Sequence, residues 1–312
     1  MNSTDCQIQA NPDVSGIGIR ASIYALSLGD HIFSFVIQNF AHKRDSEEFN
    51  RSVKSSLSIQ GLALLCTAIY QTFRNQITLF HTICVLHLLA LLGVNLISRG
   101  KYSRNNRIRS RIEAAFKVLI FIIFTSFNVY IWATAPHFGS QPECNRSTIY
   151  VVFGVSIKAT SPIFRWIILG TFTLVLAGLV IYVILGIPYL IAMYYRSKHV
   201  RRRTYNYDSE DSEDGMLHGD KRVSRPIHLA GNTAFSIYTI ISLEQTISRN
   251  NLSSDERKWT FGQAIALFLL LGPVIEIVNL VISSIDRDSN DSGRALLLGS
   301  WRRSIAARNS DA

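Results

Sequence analysis

Three ionisable side chains stand inside otherwise apolar sequence: Asp30, His87 and Glu276, with Asn95 and Asn279 nearby. A carboxylate or imidazole in an apolar helix is costly, so it normally faces protein or water rather than lipid. Such groups can pass protons, coordinate a cation or orient a polar ligand. They can equally serve only to hydrogen-bond one helix to the next. Asp30 and His87 fall near the middle of their apolar segments. Glu276 lies roughly 7 Å past the middle of its own at the usual helical rise, with Asn95 and Asn279 deeper on that side. If the three segments are neighbours, the five residues line one polar cavity with Asp30–His87 or Glu276–His87 as partners. Gly272-Pro273, just before Glu276, predicts a kinked or broken helix, and Pro188 a second kink.

Other chemistry has no carrier here. The sequence holds no Gly-rich phosphate loop, no His-Glu-x-x-His, no Gly-x-Ser-x-Gly and no closely spaced cysteine pair. His81 and His87 are six residues apart, about 240° around a helix, and are poorly placed to share a metal. The last apolar block has no interior lysine for a Schiff base. We therefore expect no metal, no cofactor and no enzymatic activity.

The segments that carry these residues are long and apolar. Only 17% of the residues are charged, against about 25% in soluble proteins. The charges sit between apolar blocks of roughly 20 residues, the length of a bilayer span. Seven blocks stand out: Ile17–Phe40, Ser55–Phe73, Ile77–Ser98, Ala114–Ala135, Phe164–Tyr195, Pro226–Leu243 and Thr260–Ile282. A backbone in lipid must satisfy its own hydrogen bonds, so each should be a helix. The expected fold is all-α: a polytopic membrane protein of seven transmembrane helices. Residues 1–16 form an outer arm, 17–282 the membrane domain and 283–312 an inner tail.

Charge sets the orientation. Most of the 32 basic residues follow the first, third, fifth and seventh blocks, and few lie in the alternate loops. Basic residues are retained on the cytoplasmic side, which puts the N-terminus outside and the C-terminus inside. The net charge of +10 is thus read as orientation, with the lipid bilayer as partner and no nucleic acid. Arg20, within the first block, reads as snorkelling to an interface. Trp132, Trp166 and Trp259, at block ends, read as interfacial anchors.

On this topology Cys6 and Cys144 both lie outside, where a disulfide is permitted. Cys66 and Cys84 lie within blocks and read as buried apolar residues. The sequons at Asn2, Asn145 and Asn251 lie outside and are candidate glycosylation sites. The loop 196–225 passes from Arg201-Arg202-Arg203 to the acidic Asp208–Asp214 stretch. Its blocks of like charge read as a disordered linker, or as a phosphorylatable docking segment for a cytoplasmic protein. In the tail, Leu297, Trp301 and Ile305 recur at four-residue spacing, as in a short amphipathic helix on the inner leaflet, or belong to an irregular end.

The stretch Asn11-Pro12-Asp13-Val14-Ser15-Gly16-Ile17-Gly18-Ile19-Arg20 resembles the opening of a family of uncharacterised fungal multi-pass membrane proteins. Leu243-Glu244-x-Thr246-x-x-Arg249-Asn250 and Trp259-Thr260-Phe261-Gly262-Gln263 resemble that family's approach to its last span. Family members carry a cysteine before the first motif and another before a late span, as Cys6 and Cys144 do, and the resemblance favours their pairing. The motifs cover only the two ends of the chain. In the last span the family's Arg-Asp pair is replaced by Ile275-Glu276. The family has no assigned activity, so the resemblance implies architecture. Three functional expectations stand: a receptor- or sensor-like seven-helix protein, a proton- or ion-coupled transporter or channel, and a structural or scaffolding membrane protein. Each places the chain in the plasma membrane or the endomembrane system.

Overall fold

The computed structural model describes residues 6–40, 43–96, 107–203, 221–279, 281 and 282; side chains of residues 30–40, 43–52, 54, 94–96, 107–113, 187–203 and 221–229 are not described. The chain is mostly helical. A short α1 (Pro12–Ser15) precedes α2 (Ile17–Phe40), α3 (Lys43–Phe73), α4 (Leu79–Leu96), α5 (Arg107–Thr134), α6 (Pro162–Arg203), α7 (Lys221–Ser248) and α8 (Phe261–Phe268). Among the described residues the first six apolar blocks each fall mainly on one of these helices, and the seventh covers α8 and a second helical stretch, 271–279, after a turn at Leu269-Leu270. Pro188 does not end α6. The last helix breaks at the turn ahead of Gly272-Pro273, because proline has no N–H for the carbonyl four residues back and its ring crowds that carbonyl.

Three stretches are long and apolar enough to cross a membrane: Ala114–His137, Pro162–Gly186 and Ser254–Asn279. The last takes in the approach to α8 as well as the helix itself. None of the apolar window on α6 is buried within the protein; Leu174, Ile181, Ile184 and Leu185 all point outward. Apolar surface on this scale is not left in water by a soluble monomer. The opposite case is α4, apolar on every side, which a helix tolerates only when enclosed. Phe80, Ile83, Leu88, Leu91 and Leu92 are buried around its circumference. It is flanked by α2, α3, α5 and α7, while α8 lies on α2, and α6 lies on α5.

The connection between α5 and α6 departs from the all-helical expectation. It holds an antiparallel hairpin, β1 (Ile149–Val152) with β2 (Val155–Lys158). The two turn residues, Phe153 and Gly154, have φ of 48° and 80°, as tight two-residue hairpin turns require. The outer edge of β1 pairs with a helix rather than a third strand. Asn250 exchanges two hydrogen bonds with the Ile149 backbone, 2.9 and 2.8 Å. Val151 N–H donates to Thr246 Oγ1 at 3.1 Å, and Ser242 Oγ donates to Val151 O at 2.5 Å. Phe153 N–H reaches the Tyr238 hydroxyl at 3.4 Å. Tyr238, Ser242, Thr246 and Asn250 recur every four residues, so they form one polar stripe running from α7 past its end.

Four segments meet at this end of the bundle: the N-terminal arm, the α3–α4 turn, the α5–α6 connection and the α7–α8 loop. Ile8 N–H donates to Asn251 O at 2.9 Å, and Ser253 N–H to Ile8 O at 3.0 Å. Ser140 N–H donates to Ile77 O at 3.1 Å. A disulfide joins Cys6 to Cys144, with Cα atoms 5.5 Å apart. We call this assembly the cap.

Candidate functional site

The polar centre of the cap is built on Glu256, in the loop between α7 and α8. Its carboxylate accepts from the Ser15 hydroxyl, from the Asn11 N–H at 2.8 Å, and meets His81 Nε2 at 3.3 Å. Ser15 and Asn11 come from the N-terminal motif, where Pro12 at the first helical position fixes the turn of α1. His81 comes from the first turn of α4, where Thr78 Oγ1 accepts the His81 N–H at 3.3 Å and faces His81 Nδ1 at 2.7 Å. One carboxylate thereby joins three segments far apart in sequence. Burial pushes its carboxyl up, but hydrogen bonds from His81, Ser15 and Asn11 outweigh that and hold it below the usual carboxylate range.

Thr78, His81 and Glu256 form a hydroxyl–imidazole–carboxylate line like that of a nucleophile with its base. The geometry gives it a different task. His81 is fully enclosed and Thr78 almost so, and the hydroxyl already serves as the N-cap of α4. The line fixes an imidazole between two segments and presents no atom to a substrate.

A second polar knot lies one layer deeper. Arg20 of α2 pairs with Glu244 of α7, and the Tyr24 hydroxyl donates to the same carboxylate at 2.7 Å. Arg20 Nε also donates to Ser15 O at 2.9 Å, which ties the knot to α1. Ser27 and Ser236 meet a turn or two further along, their hydroxyls 3.3 Å apart. Arg20 therefore does not snorkel outward; its guanidinium turns inward to a carboxylate.

Glycines let the third contact form. Gln263 Oε1 accepts the Gly18 N–H at 3.0 Å, and its Nε2 donates to Lys258 O at 2.8 Å. A Cβ at Gly18 would stand 2.8 Å from Gln263 Cβ, closer than side chains approach. The Asn11–Arg20, Leu243–Asn250 and Trp259–Gln263 motifs thus interlock: Ser15 with the loop between the last two, Gly18 with Gln263, Arg20 with Glu244.

The five predicted intramembrane residues fare differently. His87 is buried, its Nδ1 3.0 Å from Ile83 O and its ring 5.1 Å from that of Tyr150. It faces the hairpin. Glu276 is half-buried and Asn279 exposed on the helical stretch after the break. Among the described residues, no hydrogen bond or ion pair joins His87 to Glu276, and the expected shared cavity is not formed by these two. The side chains of Asp30 and Asn95 lie outside the described residues. The α2 backbone does place Asp30 about as far from the cap as Glu276, since Gly18 is level with Gln263 and both helices run the same way.

Other expectations change as well. Asn145 is 1% exposed, and its amide nitrogen, which a glycan would occupy, donates to Ala135 O and Phe138 O at 3.0 and 2.8 Å. The folded chain has no room for a glycan there. Asn251 is exposed, and Asn2 lies outside the described residues. Trp132 is 2% exposed and packs edge-on against Tyr150 and Phe164, so it belongs to the core; Trp166 and Trp259 are exposed. Cys66 lies on the outward face of α3, whereas Cys84 is buried. Of the loop expected at 196–225, residues 196–203 continue α6 and residues 221–225 open α7, so these ends are helical rather than a disordered linker; residues 204–220 and the tail 283–312 lie outside the described residues.

Sequence reasoning weighed His81 only as a metal ligand, and passed over Glu244, Glu256 and Gln263 as site residues. Their signal was the motifs: Glu244 and Gln263 are motif members, and Glu256 lies between two motifs. Comparison with protein-family models, with curated proteins and with solved structures found no match to this chain.

Proposed function

We propose that this chain is a seven-helix membrane protein, N-terminus outside and C-terminus inside, that works as a receptor- or sensor-like protein through its outer cap. One observation carries the reading. The four segments that the charge pattern assigns to the outside are the four that assemble into the cap. A cap stitched by a disulfide, a buried carboxylate hub and a strand-on-helix ladder is a rigid outer platform. Two of the helices that meet at it lead on in sequence to the proposed inner segments: α7 follows the basic loop 196–225, and α8 precedes the tail. The motifs' interlock supports kinship with the fungal membrane-protein family, the exposed Asn251 supports a glycoprotein, and the outward apolar faces of α5, α6 and α8 support residence in the plasma membrane or endomembrane system.

The test is proximity labelling from the loop 204–220 in intact cells. The reading expects a cytoplasmic protein enriched with the full chain, lost on deletion of 204–220, and altered when Glu256→Gln loosens the cap. A partner profile unaffected by either change sinks the sensor reading. A transport reading is favoured by one observation, Glu276 beside a broken helix and without a hydrogen bond or ion pair among the described residues. Ion flux in proteoliposomes, lost on Glu276→Gln, would then take precedence.

A further inference from the structure

The break in the last helix leaves backbone acceptors without donors. The Leu270 N–H bonds Leu267 O at 3.0 Å instead of Ala266 O, and the ladder resumes only with Val274 N–H to Leu270 O at 3.1 Å. Pro273 has no N–H to offer Leu269 O. On the facing helix, α3, Gln60 supplies one missing donor: its Nε2 approaches Ala266 O at 3.4 Å. That contact fixes which way the amide lies and leaves Gln60 Oε1 as an acceptor. Gln60 is 6% exposed, and Oε1 has no hydrogen-bond partner. A buried amide oxygen without a donor is costly unless something else satisfies it.

Further oxygens stand along the same helix pair. Gly272 faces Ser56 across the helix pair, and a Cβ at Gly272 would lie 3.7 Å from Ser56 Oγ. Glu276 follows Gly272 by four residues and so shares its helix face. Among the described residues Glu276 has no hydrogen bond or ion pair, so no protein cation accompanies this carboxyl in its apolar stretch. We propose that the break binds one small monovalent cation, held by Gln60 Oε1, the Leu269 carbonyl and Ser56 Oγ and neutralised by Glu276. Oxygen donors of this kind suit hard cations. A single carboxylate balances a single positive charge, whereas divalent sites gather several. The site rests only on the last helix lying in apolar surroundings, so it stands or falls separately from the sensor reading.

The experiment uses the full chain in detergent, with Na⁺ as the probe. Apparent Tm is compared in NaCl and in N-methylglucamine chloride at equal ionic strength, for wild type, Glu276→Gln, Gln60→Leu and the surface control Asp255→Asn. The proposal expects Na⁺ to raise the Tm of wild type and the control by about 4 °C, and to leave both site variants unmoved. If a variant does not fold, equilibrium binding of radioactive Na⁺ to wild type decides, with saturation near one ion per chain expected. Equal Tm values in the two salts, a shift that survives in either site variant, absence of saturable binding, or a larger shift with Ca²⁺ would each overturn the proposal.

Discussion

Glu256 gathers hydrogen bonds from Ser15, Asn11 and His81, and that concentration makes the cap sensitive to one atom. Replacing it by glutamine keeps the size but removes the charge and mismatches at least one donor. We expect Glu256→Gln to cost about 2–3 kcal/mol, measured as a lower apparent Tm with the disulfide intact. The carboxyl sits below its ordinary range in the folded protein, so its contribution is present above the unfolded value near about 4.3 and disappears as pH falls through the lower folded value. Wild type should therefore lose cap stability only in acid below the usual carboxylate range. Glu256→Gln should flatten that limb. A stability curve unchanged by the substitution would show that the hub holds nothing. None of this was visible from local sequence, where Glu256 lies in the charged run Asp255-Glu256-Arg257-Lys258. The partner, His81, is 175 residues away, and long-range pairing of that kind leaves no periodic trace. Arg20 was misread for a related reason: near a block end, a lone arginine looks like a snorkelling one until Glu244 is seen opposite. Exchanging the two, as Arg20→Glu with Glu244→Arg, should recover much of the Tm lost by either single change; no recovery would mean that the pair is incidental.

At the scale of elements, the hairpin and α7 form a unit in which a helix does a strand's work. Thr246→Val deletes the acceptor for Val151 N–H at nearly constant shape and leaves that donor buried. We expect a loss of about 1–3 kcal/mol, larger than for Thr171→Val on the exposed face of α6, with Tm as the readout. Equal effects would contradict the ladder. The disulfide acts on the same unit from the other side. With its cysteines separated by 138 positions, its removal by Cys144→Ser should cost about 3–5 kcal/mol and make the N-terminal arm cleavable in limited proteolysis. The helices themselves were legible, because apolar runs bounded by charge report both position and length; the first block matches α2 residue for residue. The hairpin was less so. Ile149-Tyr150-Val151-Val152 has strand-forming residues, but Phe153 occupies a positive-φ turn position that normally takes asparagine or glycine, which hid the turn. Phe153 stacks on Tyr238 with ring centroids 4.7 Å apart, and that contact offsets the strain.

For the whole molecule, the division between an apolar lateral surface and a polar, cross-linked end is the organising fact. It explains why the predicted polar cavity is not found between His87 and Glu276. His87 is drawn to the aromatic cluster under the hairpin, while Glu276 follows the last helix past its break. Depth along a helix could be read from sequence; which face met which neighbour could not. The same division sorts the sequons. Asn251 should carry a glycan and Asn145 should not, so Asn251→Gln should reduce a glycosidase-sensitive shift on a gel while Asn145→Gln leaves it in place.

The topology itself is tested most directly by single-cysteine labelling. In a chain keeping Cys6 and Cys144, with Cys66 and Cys84 replaced by alanine, single cysteines are placed at Ser254 in the cap, Ser209 in the basic loop and Ser304 in the tail. A membrane-impermeant maleimide is then applied to intact cells. The account predicts labelling of Ser254→Cys at once, and of Ser209→Cys and Ser304→Cys only after permeabilisation. Labelling of Ser209→Cys from the same side as Ser254→Cys would contradict it.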